Sequence, residues 1–228
     1  MPVSAGTGTG PTQPFIHWWD TRGEWVEAPN VRRGGNSGVQ LLRGETGTML
    51  YVKRQTGHVH RSLRHPFGRP TVLREAEALR ALATLAVHVP TLAYCGARNQ
   101  DGQWQAILVT EALEGYLNLD AWYRQPHDPA TRAAMLRQLA QTLARMHRGH
   151  WQHGCLYPKH IFVRSTENSA AVDVALLDLE KARRRLLPRL ASRRDLAQLD
   201  RHRSPMPDTD WRDLLCHYQR ALAAPSPP

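Results

Sequence analysis

The chain has 228 residues, 41% of them hydrophobic, and a formal net charge of +10 at pH 7. This length suits one two-lobed unit or two small domains with a real apolar core. Its three cysteines are far apart and form no C-x-x-C pair, which argues against a disulfide framework or a zinc ribbon and favours a reducing cytoplasm. We find neither a secretory signal pattern nor an apolar run long enough to span a bilayer.

Arginine supplies most of the positive charge. An excess of this size favours an anionic partner, such as nucleic acid, an acidic membrane face or a phosphorylated substrate. An arginine-rich composition that serves no partner explains the charge equally well. Because no aromatic-basic motif of an RNA-binding module is present, we expect no nucleic acid.

The two ends of the chain are poor in large apolar residues. Residues 1–14 and 223–228 consist largely of Gly, Thr, Ser, Ala and Pro, so we expect a disordered leader and a disordered tail. Residues 15–27 hold three tryptophans around a Thr-Arg-Gly turn. They predict two short strands, or a strand and a turn.

A glycine-rich stretch precedes the next apolar run and contains Gly34, Gly35 and Gly38. Glycines between strands let backbone N–H groups approach a phosphate closely. A glycine-rich hairpin that binds nothing is the alternative.

Residues 49–53 alternate with period two and predict a strand, with Leu50 and Val52 on one face and Lys53 on the other. A lysine at the end of an apolar strand can meet a nucleotide phosphate. When Lys53 is considered without the rest of the chain, the simpler interpretation is an edge-strand lysine that discourages aggregation.

Residues 56–70 are rich in His and Arg. They predict a solvated basic loop or a docking surface for an anionic substrate, and the histidines lack the spacing of metal ligands.

A helix is predicted for residues 71–87, with Leu79 and Leu82 in its apolar stripe. Glu75 and Glu77 lie near its start, where acids suit the helix dipole. The functional interpretation is that Glu75 pairs with a strand lysine and orients it.

Residues 99–102 predict the turn of a hairpin, whose second strand ends at Glu111. Gly115 then marks a change from strand-rich to helix-rich sequence, so we place the lobe boundary between residues 113 and 114. The backbone of such a connector, Glu111 included, can bind an adenine edge.

The second half of the chain predicts three helices. The first covers residues 128–147, begins with an Asp-Pro pair and carries an apolar stripe. Residues 192–199 predict a second helix, in which Ser192 and Asp195 are spaced as a capping box. The third is predicted for residues 208–222.

A polar loop lies between the first two of these helices. Residues 153–162, His-Gly-Cys-Leu-Tyr-Pro-Lys-His-Ile-Phe, lead into an apolar strand, and a second short strand, residues 175–177, ends on Asp178. Phosphoryl-transfer enzymes use this order of loop, strand and carboxylate to place a catalytic loop beside a metal-binding acid.

The order of these features along the chain resembles the protein-kinase-like fold. More narrowly, the chain resembles the lipopolysaccharide kinase family of the InaA/WaaP type, over roughly residues 30–200. The segments that carry this resemblance are residues 50–53, 74–79, 153–162, 176–182 and 194–199.

The resemblance implies an α+β, two-lobed fold: an antiparallel β-sheet N-lobe with one main helix (residues 15–113) and a smaller helical C-lobe (residues 114–222). It implies an enzyme that uses ATP and Mg²⁺ to phosphorylate Kdo or heptose of the lipopolysaccharide inner core. It also implies a lipid A-linked substrate, a cytoplasmic location and peripheral contact with the cytoplasmic face of the inner membrane.

The resemblance also implies roles in nucleotide binding. Lys53 would hold the α- and β-phosphates, and Glu75 would hold Lys53. The remaining contacts to the nucleotide would come from Gly34, Gly35, Gly38 and Glu111.

The same resemblance assigns Mg²⁺ to Asp178. His160 stands where protein kinases carry a metal-binding asparagine, with a packed polar residue as its alternative. Asp195 would support the catalytic loop from below, with a helix cap as its alternative.

Cys155 departs from the kinase pattern, because protein kinases carry at this position an aspartate that accepts the proton of the attacking hydroxyl. A thiol in an apolar setting stays protonated and serves poorly as a base. His153 and His160 are the nearest substitutes. A slow kinase, a kinase with a substitute base, and a nucleotide-binding pseudokinase with a regulatory or stress-response role remain open.

Overall fold

The computed structural model of the chain describes residues 12–32, 35–44, 47–62, 65–166 and 169–224. Its backbone divides into two compact units. The first comprises the described residues up to Leu73 together with Leu92–Glu111, and the second comprises Arg74–Thr91 and the described residues from Ala112 on. The helix predicted from residue 71 therefore belongs mostly to the second unit.

The first unit is built on an antiparallel sheet. Its elements are α1 Thr12–Asp20, β1 Glu24–Arg32, β2 Gly35–Arg43, β3 Met49–Thr56, β4 Val59–Ser62, β5 His65–Pro70, β6 Leu92–Gln100 and β7 Gln103–Glu111. Five of these strands form one sheet in the order β1-β2-β3-β7-β6, and β4 and β5 form a separate hairpin. The turn between β6 and β7 confirms the hairpin predicted at residues 99–102.

Alternation along β3 builds the core of the first unit, as the sequence predicts. Leu50 and Val52 are buried and pack with Phe15 of α1 and with apolar side chains of β7. Lys53 is on the other face of the strand and is half-buried. The strand continues three residues beyond the predicted end, to Thr56.

The strand predicted at the start of residues 15–27 is wrong, because α1 occupies this position. Phe15, Trp18 and Trp19 have the i, i+3, i+4 spacing of one helix face, and this face covers the sheet. The Phe15 and Trp19 rings stack with centroids 5.5 Å apart. Since α1 begins at Thr12, the predicted leader ends too late, and residues 1–11 lie outside the described part of the chain.

The basic loop predicted at residues 56–70 is also wrong, because β4 and β5 pair there as an antiparallel hairpin. Pairing gives the backbone N–H and C=O groups of this segment partners that a loop would leave to water. His58, just before β4, is buried, and its Nδ1 lies 2.9 Å from Thr71 Oγ1. It is therefore a packing residue and no part of a docking surface.

The second unit is mainly helical. Its elements are the greater part of α2 Thr71–Thr84, then β8 Leu117–Asn118, α3 Leu119–Tyr123, α4 Pro129–Arg148, β9 Trp151–Gln152, β10 Ile161–Thr166, β11 Ser169–Leu176, β12 Arg183–Arg184, α5 Pro188–His202 and α6 Asp208–Ala223. The strands form a three-stranded sheet, β11-β10-β8, and a two-stranded ribbon, β12-β9. Short 3₁₀ turns precede β10 (Pro158–His160) and β12 (Leu179–Lys181).

The helix predicted for residues 128–147 is confirmed as α4. The Asp128 side chain accepts hydrogen bonds from the N–H groups of Ala130 and Thr131 and so caps the helix. Its predicted apolar stripe is buried. The helix predicted for residues 208–222 is confirmed as α6, which extends to Ala223, so the predicted tail begins one residue too early.

Two helix boundaries differ from the prediction. The capping box is wrong, because α5 starts at Pro188 rather than Ser192 and has no side-chain cap. Proline suits the first position of a helix, since its fixed φ matches and its missing N–H would have no partner there. Helix α2 ends at Thr84, before Ala86, whose φ of 52° breaks the helix.

Among the described residues, no helix is both long and apolar enough to cross a membrane.

Candidate active site

The polar loop between β9 and β10 is held from one side by α5. We call residues 153–160 the central loop. Asp195 accepts hydrogen bonds from the backbone N–H groups of His153 (2.6 Å) and Gly154 (3.0 Å). Asp195 is fully buried in the interior of α5. Its position excludes the helix-cap alternative, and its contacts are those of a support for the central loop.

A second side chain of α5 also holds the central loop. Gln198 accepts a hydrogen bond from Leu156 N at 2.9 Å. It lies three residues after Asp195 and so on the same face of α5. Sequence reasoning missed Gln198, although this i, i+3 spacing from a proposed support residue was the available signal.

Asp195 also belongs to a buried polar network between helices. Its Oδ2 is 3.2 Å from Nε2 of His147, whose Nδ1 is 2.7 Å from the hydroxyl of Tyr218. All three side chains are at most 3% exposed. The network connects α4, α5 and α6. Sequence reasoning missed His147 and Tyr218, because both fit the amphipathic pattern of their helices.

Gly154 brings the central loop close to the turn that follows Asp178. Its φ is +77°, and a Cβ at this position would lie 2.7 Å from the backbone oxygen of Lys181. Both the backbone conformation and the lack of space require glycine here.

Asp178 follows β11 in a left-handed backbone conformation, with φ 59° and ψ 62°. Such a conformation is uncommon for residues other than glycine, and strained residues of this kind cluster at functional sites. The Asp178 side chain is 32% exposed.

His160 links the central loop to Asp178. Its Nδ1 lies 2.8 Å from the carbonyl oxygen of Cys155, and its Nε2 lies 3.3 Å from Oδ2 of Asp178. Because a carbonyl only accepts hydrogen bonds, Nδ1 carries the hydrogen. With Nδ1 engaged in this way, Nε2 faces the Asp178 carboxylate, so the two groups can share a cation.

The donor pair of His160 and Asp178 fits a cation. Ligands 2.0–2.1 Å from Mg²⁺ in octahedral geometry are about 3 Å apart, close to the observed separation. Within the described ranges, no group of three or more His, Cys, Asp or Glu side chains could hold a metal ion. The remaining ligands would have to be phosphate oxygens and water, as is usual for Mg²⁺ in nucleotide enzymes.

Cys155 is buried in the central loop, with 4% of its surface exposed. Burial raises the pKa of the thiol, and the nearby Asp178 carboxylate raises it further, against the opposing hydrogen bond from Lys181. The direction of this shift agrees with the prediction that the thiol stays protonated. Lys181 was not singled out from the sequence.

His153 is fully buried, and burial lowers its pKa to about 4. Its Nδ1 accepts a hydrogen bond of 3.3 Å from the backbone N–H of Cys155. A neutral, buried imidazole with its basic nitrogen engaged is poorly suited to take a proton from an acceptor hydroxyl. His160, with 12% of its side chain exposed, is more accessible.

Helix α2 is attached to the turn after Asp178 within the second unit. Nε of Arg74 donates a hydrogen bond of 2.6 Å to the backbone oxygen of Glu180. Glu75, the next residue of α2, is 8% exposed. Glu75, which we propose as the partner of Lys53, therefore lies on a helix that is hydrogen-bonded near its start to the turn after Asp178.

The other predicted nucleotide residues belong to the first unit. Lys53 lies opposite Val39 and Leu108 in the sheet register, and Glu111 is the last residue of β7. Gly34 lies outside the described residues.

Packing alone explains Gly35 and Gly38. A Cβ at Gly35 would lie 2.5 Å from backbone atoms of Thr56 and Gly57, and one at Gly38 would lie 2.8 Å from the Trp25 ring. Backbone crowding therefore requires glycine at position 35 whether or not a phosphate binds, whereas a Cβ at position 38 would have to displace the Trp25 ring.

A solved structure described as "WaaP in complex with acyl carrier protein" resembles the chain with a TM-score of 0.69. The match covers 91% of this chain and 83% of the other, at 23% sequence identity. It confirms the predicted α+β, protein-kinase-like fold class.

A curated relative, "Protein InaA" from Escherichia coli (strain K12), is 42% identical over 208 residues, which is 90% of this chain and 94% of the relative. The family model described as "Lipopolysaccharide kinase (Kdo/WaaP) family" matches residues 16–218. The chain therefore belongs to the lipopolysaccharide kinase (Kdo/WaaP) family.

Proposed function

We propose that the chain is an ATP-dependent kinase that transfers the γ-phosphate to a hydroxyl of Kdo or heptose in the lipopolysaccharide inner core. Family membership supports the reaction class and the type of acceptor. The single observation that carries the proposal is the contact of 3.3 Å between Asp178, which follows β11, and His160 of the central loop, whose backbone Asp195 holds. Positioning of this kind is the larger part of phosphoryl-transfer catalysis.

In this proposal the chain's own residues have distinct tasks. Lys53 binds the α- and β-phosphates of ATP, Glu75 orients Lys53, and the backbone near Glu111 binds the adenine edge. Asp178 and His160 hold Mg²⁺, which neutralises phosphate charge when it is bound. Asp195 is a positioning residue for the central loop.

Because of Cys155, we expect a slow rate of phosphate transfer. A neutral buried thiol does not accept the proton of the acceptor hydroxyl. General-base assistance typically contributes ~10²–10⁴-fold, so transfer without it is slow but survives. The same buried thiol favours a second candidate function, a pseudokinase that binds nucleotide without turnover and serves as a regulatory or stress-response interaction protein.

Transfer of label from radioactive ATP to lipopolysaccharide core acceptors of defined phosphorylation tests the proposal. We expect transfer by the full chain and its loss in Lys53→Ala and Asp178→Asn. Asp200→Asn is the matched control, because Asp200 is an exposed acid on α5, and it should keep wild-type transfer. Undiminished transfer in both site variants would refute the assigned site.

The variant Cys155→Asp separates the two candidate functions. We expect the new carboxylate to raise the transfer rate about 10²-fold, since it supplies the missing base. The measurement is the initial rate with the same acceptors. If wild type and variant both bind ATP and neither transfers phosphate, the pseudokinase is the correct function.

A further inference from the structure

One segment of the second unit combines strong positive charge with exposed apolar side chains. We call residues 183–194, Arg-Arg-Arg-Leu-Leu-Pro-Arg-Leu-Ala-Ser-Arg-Arg, the Arg-Leu segment. It contains six arginines and no acidic residue. It comprises β12, the turn after it and the first half of α5, and five of its six arginines are exposed.

The leucines of the Arg-Leu segment are unusually open to solvent. Leu186 is 94% exposed, and Leu187 and Leu190 are 44% and 46% exposed. Single exposed leucines are ordinary on protein surfaces, whereas contiguous exposed apolar patches mark interaction sites. The three leucines lie within five residues of one another and are flanked by arginines on both sides.

The first residues of the Arg-Leu segment are hydrogen-bonded to residues just before the central loop. Strand β12 pairs with β9, and Arg185 N donates a hydrogen bond of 2.7 Å to the carbonyl oxygen of His150. Arg185 Nε donates a second, of 2.6 Å, to Oε1 of Gln152. Because Gln152 directly precedes the central loop, a partner bound at the segment is held next to that loop.

The Arg-Leu segment contains no acidic residue of its own to balance its positive charge. Burial lowers the pKa of Arg185, and the neighbouring Arg183 and Arg194 lower it further, against the opposing effect of Asp195. Asp195 is the first acid that follows in the sequence, and its carboxylate is engaged by the backbone of the central loop. The segment is therefore complementary to a surface of negative charge.

We propose that the Arg-Leu segment docks the protein on an anionic lipid bilayer. Arginines then contact lipid phosphates while the leucines enter the interface between headgroups and acyl chains. Protein–protein interfaces typically centre on aromatic side chains, and the segment has none. Docking brings the central loop to a lipid-linked acceptor and so deepens the proposed function, but binding can be measured without turnover.

Flotation of the full chain with vesicles tests this proposal. The vesicles contain phosphatidylcholine alone or an equimolar mixture with phosphatidylglycerol. We expect binding to the mixed vesicles only. Arg189→Glu/Arg193→Glu and Leu186→Ser/Leu190→Ser should each weaken it about tenfold.

Two control variants are matched in chemistry. Arg80→Glu/Arg137→Glu makes the same charge change at exposed positions of α2 and α4, and Phe67→Ser removes another side chain that is 94% exposed. Both should bind as the wild type does. Absence of binding to the mixed vesicles would overturn the proposal.

Two further outcomes would also overturn it. An equal loss in the charge control would show non-specific attraction of a basic protein. If the leucine variant binds the vesicles as well as the wild type does, charge is the only cause of the binding. That outcome would favour an acidic protein as the partner. A failure to bind vesicles leaves the kinase proposal intact, and a failure to transfer phosphate leaves docking intact.

Discussion

Cys155 and His153 are buried side by side in the central loop, and desolvation keeps both neutral. It raises the pKa of the thiol and lowers the pKa of the imidazole to about 4. The state of the thiol could be predicted from its apolar neighbours in the sequence. The state of His153 could not, because the sequence does not show which polar residues of a loop turn inward.

His153 gives the protein a pH-dependent stability. Its native pKa of about 4 lies below the unfolded value of about 6.5, so between pH 6.5 and pH 4 the unfolded chain takes up more protons than the folded chain. The free energy of unfolding then falls as the pH drops from 6.5 towards 4, by about 3 kcal/mol in total. Above pH 6.5 this group contributes no pH dependence.

Urea unfolding of wild type and His153→Asn at pH 7 and pH 5 measures this effect. Asparagine offers an oxygen acceptor to the N–H of Cys155 and does not titrate, so the variant should lose less stability between the two pH values. Equal losses in both proteins would contradict the assignment, because all other titrating groups are shared.

Helix α5 decides the shape of the central loop, although the two are some forty residues apart in sequence. Asp195 and Gln198 on one face of this helix accept hydrogen bonds from three backbone N–H groups of the loop, those of His153, Gly154 and Leu156. The sequence predicted a helix here, and the family resemblance implied a supporting role for Asp195. It placed the start of the helix four residues too late, because the capping pattern at Ser192 was preferred over Pro188.

Because Gly154 lies against the turn after Asp178, we expect Gly154→Ala to destabilise the protein strongly. The added Cβ meets both a positive φ and the backbone oxygen of Lys181 at 2.7 Å, so we expect a loss of about 2–3 kcal/mol in unfolding free energy. Gly102→Ala is the matched control, because Gly102 has φ +79° with no atom within 4 Å of its Cβ position. It should cost about 1 kcal/mol.

Denaturant unfolding of the two variants compares these costs. Since both change the same residue type at a positive φ, their difference reports the lack of space at Gly154. Equal costs would show that the loop moves away from Lys181 without penalty.

The proposed nucleotide residues are drawn from both compact units of the molecule. Lys53 and Glu111 belong to the first, and Glu75, His160 and Asp178 belong to the second. The strand of Lys53 and the positions of His160 and Asp178 beside strands followed from local pattern. Helix α1 did not follow from local pattern, because the tryptophans that form its packed face are also common in strands.

ATP with Mg²⁺ should stabilise the whole molecule if the proposed residues bind it. At an ATP concentration 100 times Kd, the native state gains about 2.7 kcal/mol, which raises Tm by roughly 5–10 °C. Differential scanning fluorimetry measures this shift. We expect Lys53→Ala, Asp178→Asn and removal of Mg²⁺ by EDTA each to abolish it.

The exposed variant Asp200→Asn should keep the full shift. A full shift in Asp178→Asn would place the metal elsewhere.

The sequence alone determined the helices α4 and α6, the β6–β7 hairpin and the burial along β3 and α4, because these depend on periodicity and on local motifs. The tertiary structure decided what surrounds each site residue: the support of the central loop by Asp195 and Gln198, the burial of His153 and the contact of His160 with Asp178. These contacts join segments far apart in the chain, and desolvation and hydrogen-bond geometry exist only after folding has brought those segments together.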